Sequence, residues 1–490
     1  MSHHTIRILV LEDEVPVADE MKFQFGQVLS ERQQRTPHLL ASMPGWMRFN
    51  WTHVTNVTDF HQRLANECFS FSSIDLRVPE VEGGLVLPEA KGLQAFRLAQ
   101  PKVPCLPAAV YTQYTPAHLN SLKQAGELHL AFWQKAAADG EPDAEVPVLT
   151  PRQWAERTWE WLSPYGPAQR HVLERAVPWL PKALAETADL LKAACAQTSE
   201  QHRSRIDWSP AANWRSNHAR DGLWQLCRLA EQCKEWLWSL LAARVCWGPV
   251  TNDSLAAQRD VLRHLAKGGW ADKDSVERQD LKETQINDFL AALELSEIGG
   301  NPLLISHLGG GLQENKGSRP IVTSFKALRL LRNRLAHQST ELDYSSEWDK
   351  VALYFHRVLD LVAYFAAHPI LCDVQHQTDG YYKAKLLDAL LPRTMDCKVL
   401  SLWQSQSGAQ PLARQTYTLW PESPGQVHLL SLSPWVDRRP SASGGMDTYF
   451  FMGRSPRGKP RDLHSYTWES VADIREQSPR IDLLNNLRQP

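Results

Sequence analysis

The sequence predicts a multidomain protein that joins an α/β part, an all-α part and a β-rich part. Residues 1–165 alternate short apolar runs with helical patterns, which is typical of βαβ units and a parallel sheet. Residues 166–370 are almost wholly helical in pattern, and residues 371–490 form short β-like runs interrupted by Pro, Gly and Ser. At roughly 100–200 residues per domain, 490 residues are enough for three domains of this kind.

The composition excludes several classes of protein. With 53 Lys and Arg against 55 Asp and Glu, the net charge is −2, which argues against a chain that coats nucleic acid electrostatically. No apolar run reaches the ~18 residues of a membrane span, and the first residues lack the apolar stretch of a signal peptide. The eight cysteines show no metal-ligand spacing, so we expect reduced thiols in a cytoplasmic protein. We expect the 19 tryptophans to pack mainly in cores.

In the α/β part, apolar runs end in residues that carry chemistry. The run 6–11 is followed by Glu12 and Asp13, 69–74 by Asp75, 108–111 by Thr112, and 128–134 by Lys135. Since parallel strands bring their carboxyl ends to one edge of a sheet, we expect these side chains to meet there. Clustered carboxylates repel one another and favour a hard cation such as Mg²⁺. The sequence therefore predicts a ligand-binding crevice lined by carboxylates at this edge of the sheet.

This order of strand-end residues resembles the receiver domain of two-component response regulators, over about residues 5–140. The resemblance implies a doubly wound, five-stranded receiver-like sheet in which Glu12, Asp13 and Asp75 hold Mg²⁺. It implies that Asp75 accepts a phosphoryl group from a histidine kinase or a small phosphodonor. It further implies that the Thr112 hydroxyl senses that group, that Lys135 pairs with it, and that Phe132 is the aromatic switch residue.

Two departures from the receiver pattern stand out. The interval between Asp13 and Asp75 is long, which predicts an insertion at 31–51 between the first helix and the second strand. Lys135 is followed by Ala136 where the family usually has proline. The alternative is a degenerate receiver kept as a binding surface, or one that stays unphosphorylated and responds to a bound ligand.

One helix of the all-α part carries a short polar motif. An apolar helical stripe runs into Arg332, Asn333 and His337, and a second long apolar helix follows at about 346–367. An Arg-x4-His motif in this setting resembles the HEPN superfamily. The resemblance implies a HEPN-like helical bundle whose homodimer forms a composite cleft for metal-independent cleavage of RNA.

The residue types suit this chemistry. Histidine changes charge close to neutral pH, so His337 would serve as general acid and base. Arg332 would hold the scissile phosphate, and Asn333 would position either His337 or the RNA. On an ideal helix Arg332 and His337 lie about 140° apart, so they need a second copy, or a helix end between them, to share one substrate.

Together these features predict a receiver that controls a HEPN-type endoribonuclease, by analogy in bacterial stress or phage defence. The alternative is a non-catalytic signalling adaptor that uses both folds as interaction surfaces. The C-terminal part is expected to be a small antiparallel sheet that serves as an accessory module. A basic cluster at 454–461 in that part is either an RNA contact or a solvated loop.

Overall fold

The fold is described from a computed structural model of the protein. The described residues are 4–35, 47–86, 91–113, 130–136, 147–162, 167–202, 217–266, 275–295, 301–308, 317–337, 342, 344–378, 380–387, 393–404, 411, 415–423, 426–440, 446–454, 466–470 and 475–478. The chain divides into two compact units, each assembled from separate stretches. The first unit contains Met1–Ala176, Leu190–Leu223 and Gln338–Ala363, and the second contains Val177–Asp189, Trp224–His337 and Tyr364–Pro490. The predicted domain boundaries at 165 and 370 stay predictions.

The first unit contains a six-stranded parallel sheet, as the apolar runs predict. Its strands are β1 (His4–Leu11), β2 (Met47–Val54), β3 (Phe71–Ile74), β4 (Ala108–Thr112), β5 (Ala131–Lys135) and β6 (Val148–Leu149). They are arranged in the order β2-β1-β3-β4-β5-β6, and every neighbouring pair is parallel. The first five strands follow the 2-1-3-4-5 order of a doubly wound sheet. The short strand β6 is one more than the resemblance implied.

Helices cover both faces of this sheet because its strands are apolar on both sides. The helices of the first unit include α1 (Val15–Arg35), α2 (Val57–Asn66), α3 (Lys91–Ala99), α4 (Pro151–Leu162) and α5 (Pro167–Ala176). Ile8 and Val10 point to the face covered by α1 and α4, whereas Leu9 and Leu11 point to the face covered by α2 and α3. This alternation confirms the predicted doubly wound arrangement.

The predicted insertion at 31–51 is wrong in its bounds. Helix α1 continues to Arg35 and β2 begins at Met47, so both ends of that stretch belong to regular elements. The residues between them lie outside the described part of the chain. The long interval between Asp13 and Asp75 is therefore partly explained by a 21-residue first helix.

The predicted helical region is helical in its described residues. It contains α6 (Lys182–His202), α7 (Asn217–Trp247), α8 (Asp253–Ala266), α9 (Ser275–Glu294), α10 (Pro302–His307), α11 (Pro320–His337) and α12 (Tyr344–Ala367). The predicted apolar stripe of α11 is buried, with Leu328, Leu331 and Leu335 each at most 1% exposed. The motif helix is thus fixed by its apolar face, as the sequence predicted.

The β-rich region of the second unit holds two sheets. The first is mixed and has the order β10-β12-β11-β7-β8-β9, and the second is antiparallel with the order β13-β14-β15-β16. Their strands are β7 (Ile370–Thr378), β8 (Tyr381–Leu386), β9 (Thr394–Lys398), β10 (Ser401–Trp403), β11 (Tyr417–Ser423), β12 (Gln426–Ser431), β13 (Val436–Pro440), β14 (Met446–Arg454), β15 (Tyr466–Ser470) and β16 (Arg475–Ser478). The expected small antiparallel sheet is therefore wrong: there are two sheets, and β10 pairs with β12 in parallel. Most of the basic cluster at 454–461 lies outside the described residues.

Three predictions from composition can be compared with the structure. Helix by helix, the described part of the chain offers no segment both long and apolar enough to cross a bilayer. Of the seven cysteines that the structure describes as free thiols, six are buried. Trp154, Trp236 and Trp238 are at most 2% exposed, whereas Trp224 remains 40% exposed. Core packing thus accounts for several of the tryptophans.

Candidate functional site

The two key carboxylates of the first unit are fixed by the sheet itself. Glu12 follows β1, and its N–H donates to the Val54 carbonyl at 3.0 Å. Asp75 follows β3, and its N–H donates to the Leu11 carbonyl at 2.8 Å. Because both residues continue the hydrogen bonding between strands, their backbones have little freedom. Their side chains therefore project from the carboxyl edge of the sheet.

A buried lysine joins these carboxylates. The Lys135 ammonium at the end of β5 lies 2.6 Å from Glu12 Oε2 and 2.5 Å from Asp75 Oδ2. The Thr112 hydroxyl at the end of β4 donates to Asp75 Oδ1 at 2.8 Å. The backbone N–H of Arg77 donates to the same oxygen at 3.1 Å. All four predicted strand ends thus meet, and both oxygens of Asp75 are held.

Burial and mutual repulsion govern the charges of the site. Burial, together with the Asp75 carboxylate, raises the pKa of Glu12 to about 8 in spite of the neighbouring ammonium. Burial and Asp75 also raise the pKa of Asp13. For Lys135, burial alone would lower the pKa, but Asp75 and Glu12 outweigh it, so the lysine stays charged. The site therefore carries more negative charge than its lysine balances.

This carboxylate cluster fits a divalent cation. Glu12, Asp13 and Asp75 each offer an oxygen, and the three oxygens lie within 4.8 Å of one another. A purely oxygen donor set is the one that Mg²⁺ prefers. Burial and then the Asp75 charge raise the pKa of Glu12, and such a cation would offset the repulsion between the two carboxylates. These are the three residues that the sequence predicted as metal ligands.

The remaining receiver position, Phe132, lies in the same sheet. Phe132 on β5 is half-buried and packs against the apolar core on the face of the sheet that α2 and α3 cover. The neighbouring Tyr111 lies beneath Lys135, with the ammonium 5.8 Å from its ring centroid, and its hydroxyl donates to the Leu149 carbonyl at 3.0 Å. Tyr111 therefore supports the lysine from below, a contact that the strand pattern alone did not indicate.

Gly92 is a further residue of this site that sequence reasoning missed. It is the second residue of α3, and its N–H donates to the Leu76 carbonyl at 3.2 Å. A Cβ atom at this position would lie 1.9 Å from the carbonyl oxygen of Asp75. Only glycine lets the helix start this close to the backbone of Asp75. A glycine early in a helix was the available signal, but it did not indicate what the helix approaches.

In the second unit, one residue of the α11 motif pairs with another helix, and the other two lie on an exposed face. Arg332 forms an ion pair with Glu231 of α7, and its Nη2 donates to Asn333 Oδ1 at 3.4 Å. Asn333 and His337 are exposed, and His337 is the last residue of α11. The structure therefore brings Arg332 and Asn333 together and leaves His337 accessible. Sequence reasoning missed Glu231 because nothing in the pattern of α7 distinguishes it from a surface glutamate.

A neighbouring arginine of α11 has a structural partner. Arg329 lies 3.2 Å from Glu283 of α9, whose side chain is fully buried. A buried carboxylate requires such a partner. The positive charge of Arg329 therefore balances a buried carboxylate within the helical bundle.

The strand order, the helices on both faces and the acid–lysine cluster define a receiver-like α/β domain. No protein-family model matches the sequence, and no curated protein does so. A CheY-like receiver domain protein from Methanospirillum hungatei is 15% identical to this chain, with a TM-score of 0.21. The matched region makes up 32% of this chain and 94% of the other protein's chain. The response regulator RcsB from Salmonella typhimurium is 15% identical, covers 42% and 90%, and has a TM-score of 0.20.

A third similar structure is of a different kind. Csm6 from Enterococcus italicus, bound to cyclic hexa-2′-fluoro-hexa-dAMP, is 12% identical, covers 74% of this chain and 95% of its own, and has a TM-score of 0.14. At such low scores, the assignment of this chain rests on its own strand order and side chains.

Proposed function

We propose that the protein is a receiver-regulated effector, in which phosphorylation of Asp75 controls a HEPN-type endoribonuclease centred on Arg332, Asn333 and His337. The observation that carries the proposal is the meeting of Glu12, Asp75, Thr112 and Lys135 at one sheet edge, with every side chain buried. Buried titratable groups in such a cluster are typical of functional sites.

The phosphoryl transfer uses these side chains directly. A carboxylate oxygen of Asp75 attacks the phosphorus of a donor such as acetyl phosphate, and the bond from phosphorus to the acetate oxygen breaks. Glu12, Asp13 and Asp75 are the residues that would hold Mg²⁺, which offsets charge on the phosphoryl oxygens. Lys135 and the Thr112 hydroxyl already bond to Asp75, so both are in place to turn towards the added oxygens. That turn is the proposed signal.

The proposed nuclease step needs no metal or other cofactor. A ribose 2′-hydroxyl attacks the adjacent phosphate, the 5′-oxygen leaves, and the products are a cyclic phosphate and a 5′-hydroxyl end. His337 moves the protons, and Arg332 stabilises the charge on the phosphate. The exposed positions of Asn333 and His337 on α11 support this role, because RNA and a second copy of the chain can reach them.

The experiment treats the full chain with acetyl phosphate and Mg²⁺ and measures its intact mass and its cleavage of a fluorescent RNA. We expect one phosphoryl group on the wild type and none on Asp75→Asn. We expect RNA cleavage that His337→Ala abolishes, while His376→Ala, a change at another exposed histidine, leaves it intact. Wild-type cleavage by His337→Ala would overturn the nuclease, and a phosphorylated Asp75→Asn would overturn the phosphoacceptor.

One observation favours a second candidate, the non-catalytic adaptor. Arg332 forms an ion pair with Glu231, as an arginine with a purely structural role would do. The same experiment separates the two proposals, because an adaptor accepts the phosphoryl group and cleaves no RNA.

A further inference from the structure

The mixed sheet of the second unit carries a polar group on one face. Ser401 on β10 is paired in register with His428 on β12, and His428 is paired with Trp420 on β11. Trp403 lies on this face too, because side chains two residues apart along a strand share a face. Glu422 lies at the irregularity of β11, and its carboxylate reaches His428 there. The opposite face packs the apolar cluster that includes Leu402 and Leu429.

Two hydrogen bonds join a serine, a histidine and a glutamate in series. The Ser401 hydroxyl lies 2.8 Å from His428 Nδ1, and His428 Nε2 lies 3.1 Å from Glu422 Oε2. An ionised carboxylate only accepts, so Nε2 must carry the proton when the imidazole is neutral. Nδ1 is then an acceptor, and the Ser401 hydroxyl must donate to it. The arrangement fixes the tautomer in which a histidine activates a serine.

Electrostatics favour the same charge states. Burial lowers the pKa of His428, so the imidazole is neutral and basic at neutral pH. Arg244 of α7 is 1% exposed, and its Nη2 lies 3.9 Å from Glu422 Oε1. Burial lowers the pKa of Arg244 to about 10, which still leaves it a cation beside the Glu422 carboxylate. The Trp403 ring stacks on the imidazole with centroids 4.1 Å apart and limits its rotation.

The hydrogen bonding of Glu422 indicates that it is dedicated to the histidine. In the described part of the chain, its Oε1 has no hydrogen-bond partner, while its Oε2 lies within hydrogen-bond distance of His428. The Glu422 and His428 side chains are both at most 9% exposed, whereas Ser401 is exposed. The base and its orienting group are therefore shielded, and the hydroxyl is open to a substrate.

The backbone at Ser401 adds a donor. The N–H of Leu400 donates to the Val427 carbonyl at 2.8 Å, so the backbone groups of Leu400 point towards β12. Backbone groups alternate along a strand, so the N–H of Ser401 points away from β12. Among the described strands β10 is the last of its sheet. A backbone N–H at a serine nucleophile is one of the donors that stabilise an acyl-transfer oxyanion.

We propose that Ser401, His428 and Glu422 form a second catalytic site, which hydrolyses small activated esters. The Ser401 oxygen attacks the acyl carbonyl while its proton passes to His428 Nδ1. The bond from the carbonyl carbon to the alcohol oxygen then breaks, and the alcohol takes that proton. Water, deprotonated by His428, frees the acid and restores the serine. Ser401 and His428 are the catalytic residues, and Glu422 is a positioning residue.

The test uses p-nitrophenyl acetate as substrate and a fluorophosphonate as covalent probe, both with the full chain. We expect the fluorophosphonate to modify Ser401 in the native protein and not after heat denaturation. Ser401→Ala and His428→Gln should each lower ester hydrolysis at least about 100-fold. Thr394→Ala removes an exposed hydroxyl residue from the same sheet and should leave the rate unchanged.

Glu422→Gln distinguishes catalysis from a structural network. Removing the carboxylate leaves His428 beside Arg244 and Ser401 alone, which lowers its pKa, so the acid limb of the pH–rate profile should move to lower pH. A folded wild type that the fluorophosphonate does not modify at Ser401 would overturn the proposal, as would a Ser401→Ala variant with the wild-type rate. Neither result depends on the nuclease or on Asp75.

Discussion

The close approach of Gly92 to Asp75 allows a sharp test of the phosphoacceptor geometry. Replacing Gly92 with alanine would place a Cβ atom 1.9 Å from the Asp75 carbonyl oxygen and 3.0 Å from the Ile74 Cγ2 atom. Real Cβ atoms essentially never come within 3.0 Å of another atom in this way, so one of the two backbones must retreat by at least about 1.1 Å. The closest atom belongs to the backbone of Asp75, so no flexible side chain can move aside to relieve this contact.

The expected consequences of Gly92→Ala are a displaced carboxylate and a less stable first unit. A misplacement of about 1 Å can lower a reaction rate by ~100-fold, so phosphorylation by acetyl phosphate should slow to that extent. Overpacking of this kind lowers the free energy of unfolding by about 1–3 kcal/mol, which exceeds the gain of up to ~1 kcal/mol from alanine in a helix. Intact-mass time courses measure the rate, and urea denaturation measures the stability.

The matched control is Gly26→Ala in α1. There the nearest atom to an added Cβ is Phe49 Cζ at 3.6 Å, an ordinary contact. This variant should be phosphorylated at the wild-type rate and be at least as stable as the wild type. If Gly92→Ala behaved like Gly26→Ala in both assays, the close approach of α3 to the phosphoacceptor would not matter, and the reasoning would be refuted.

Two further predictions concern charge. A divalent cation favours ionised Glu12, whose pKa is about 8 without the cation. The affinity for Mg²⁺ should therefore rise with pH up to about 8, and calorimetry should detect the release of a proton on binding. Glu12→Gln should remove this proton release, and an affinity independent of pH would contradict the prediction. Glu231→Gln should expose Arg332 to modification by phenylglyoxal, which mass spectrometry measures. The free energy of unfolding should fall by about 1 kcal/mol or less, because the pair is part-exposed. Glu160→Gln, in an exposed pair elsewhere, should leave that modification unchanged.

The parallel sheet and its acidic site could be predicted because their signals are local. Each apolar run is followed directly by a residue of the site, and a parallel sheet brings the carboxyl ends of its strands to one edge. Glu12, Asp75, Thr112 and Lys135 meet as the sequence indicated, although the first and last are separated by most of the first unit. The apolar stripe of α11 was predictable for the same reason.

The Ser401 group could not be predicted because register, rather than local pattern, creates it. Ser401 reaches His428 only because a three-residue strand pairs in parallel with β12, and no local pattern indicates a parallel pair there. Arg244 joins from a helix far away in the chain. The role of Glu231 could not be predicted for a similar reason, since its partner Arg332 lies on another helix.

Charge balance supports the proposal that the acidic site accepts a phosphoryl group. Three carboxylates and one lysine leave a surplus of two negative charges when all are ionised, and burial raises the pKa of Glu12 to about 8 instead of allowing that surplus. A divalent cation would cancel it. Phosphorylation would then replace the single charge of Asp75 with about −1.5 to −2, which returns a negative excess at the one point that Lys135 and Thr112 already contact. The resting contacts of these two side chains are therefore the ones that the added charge must redirect, so a change at Asp75 reaches β4 and β5 first.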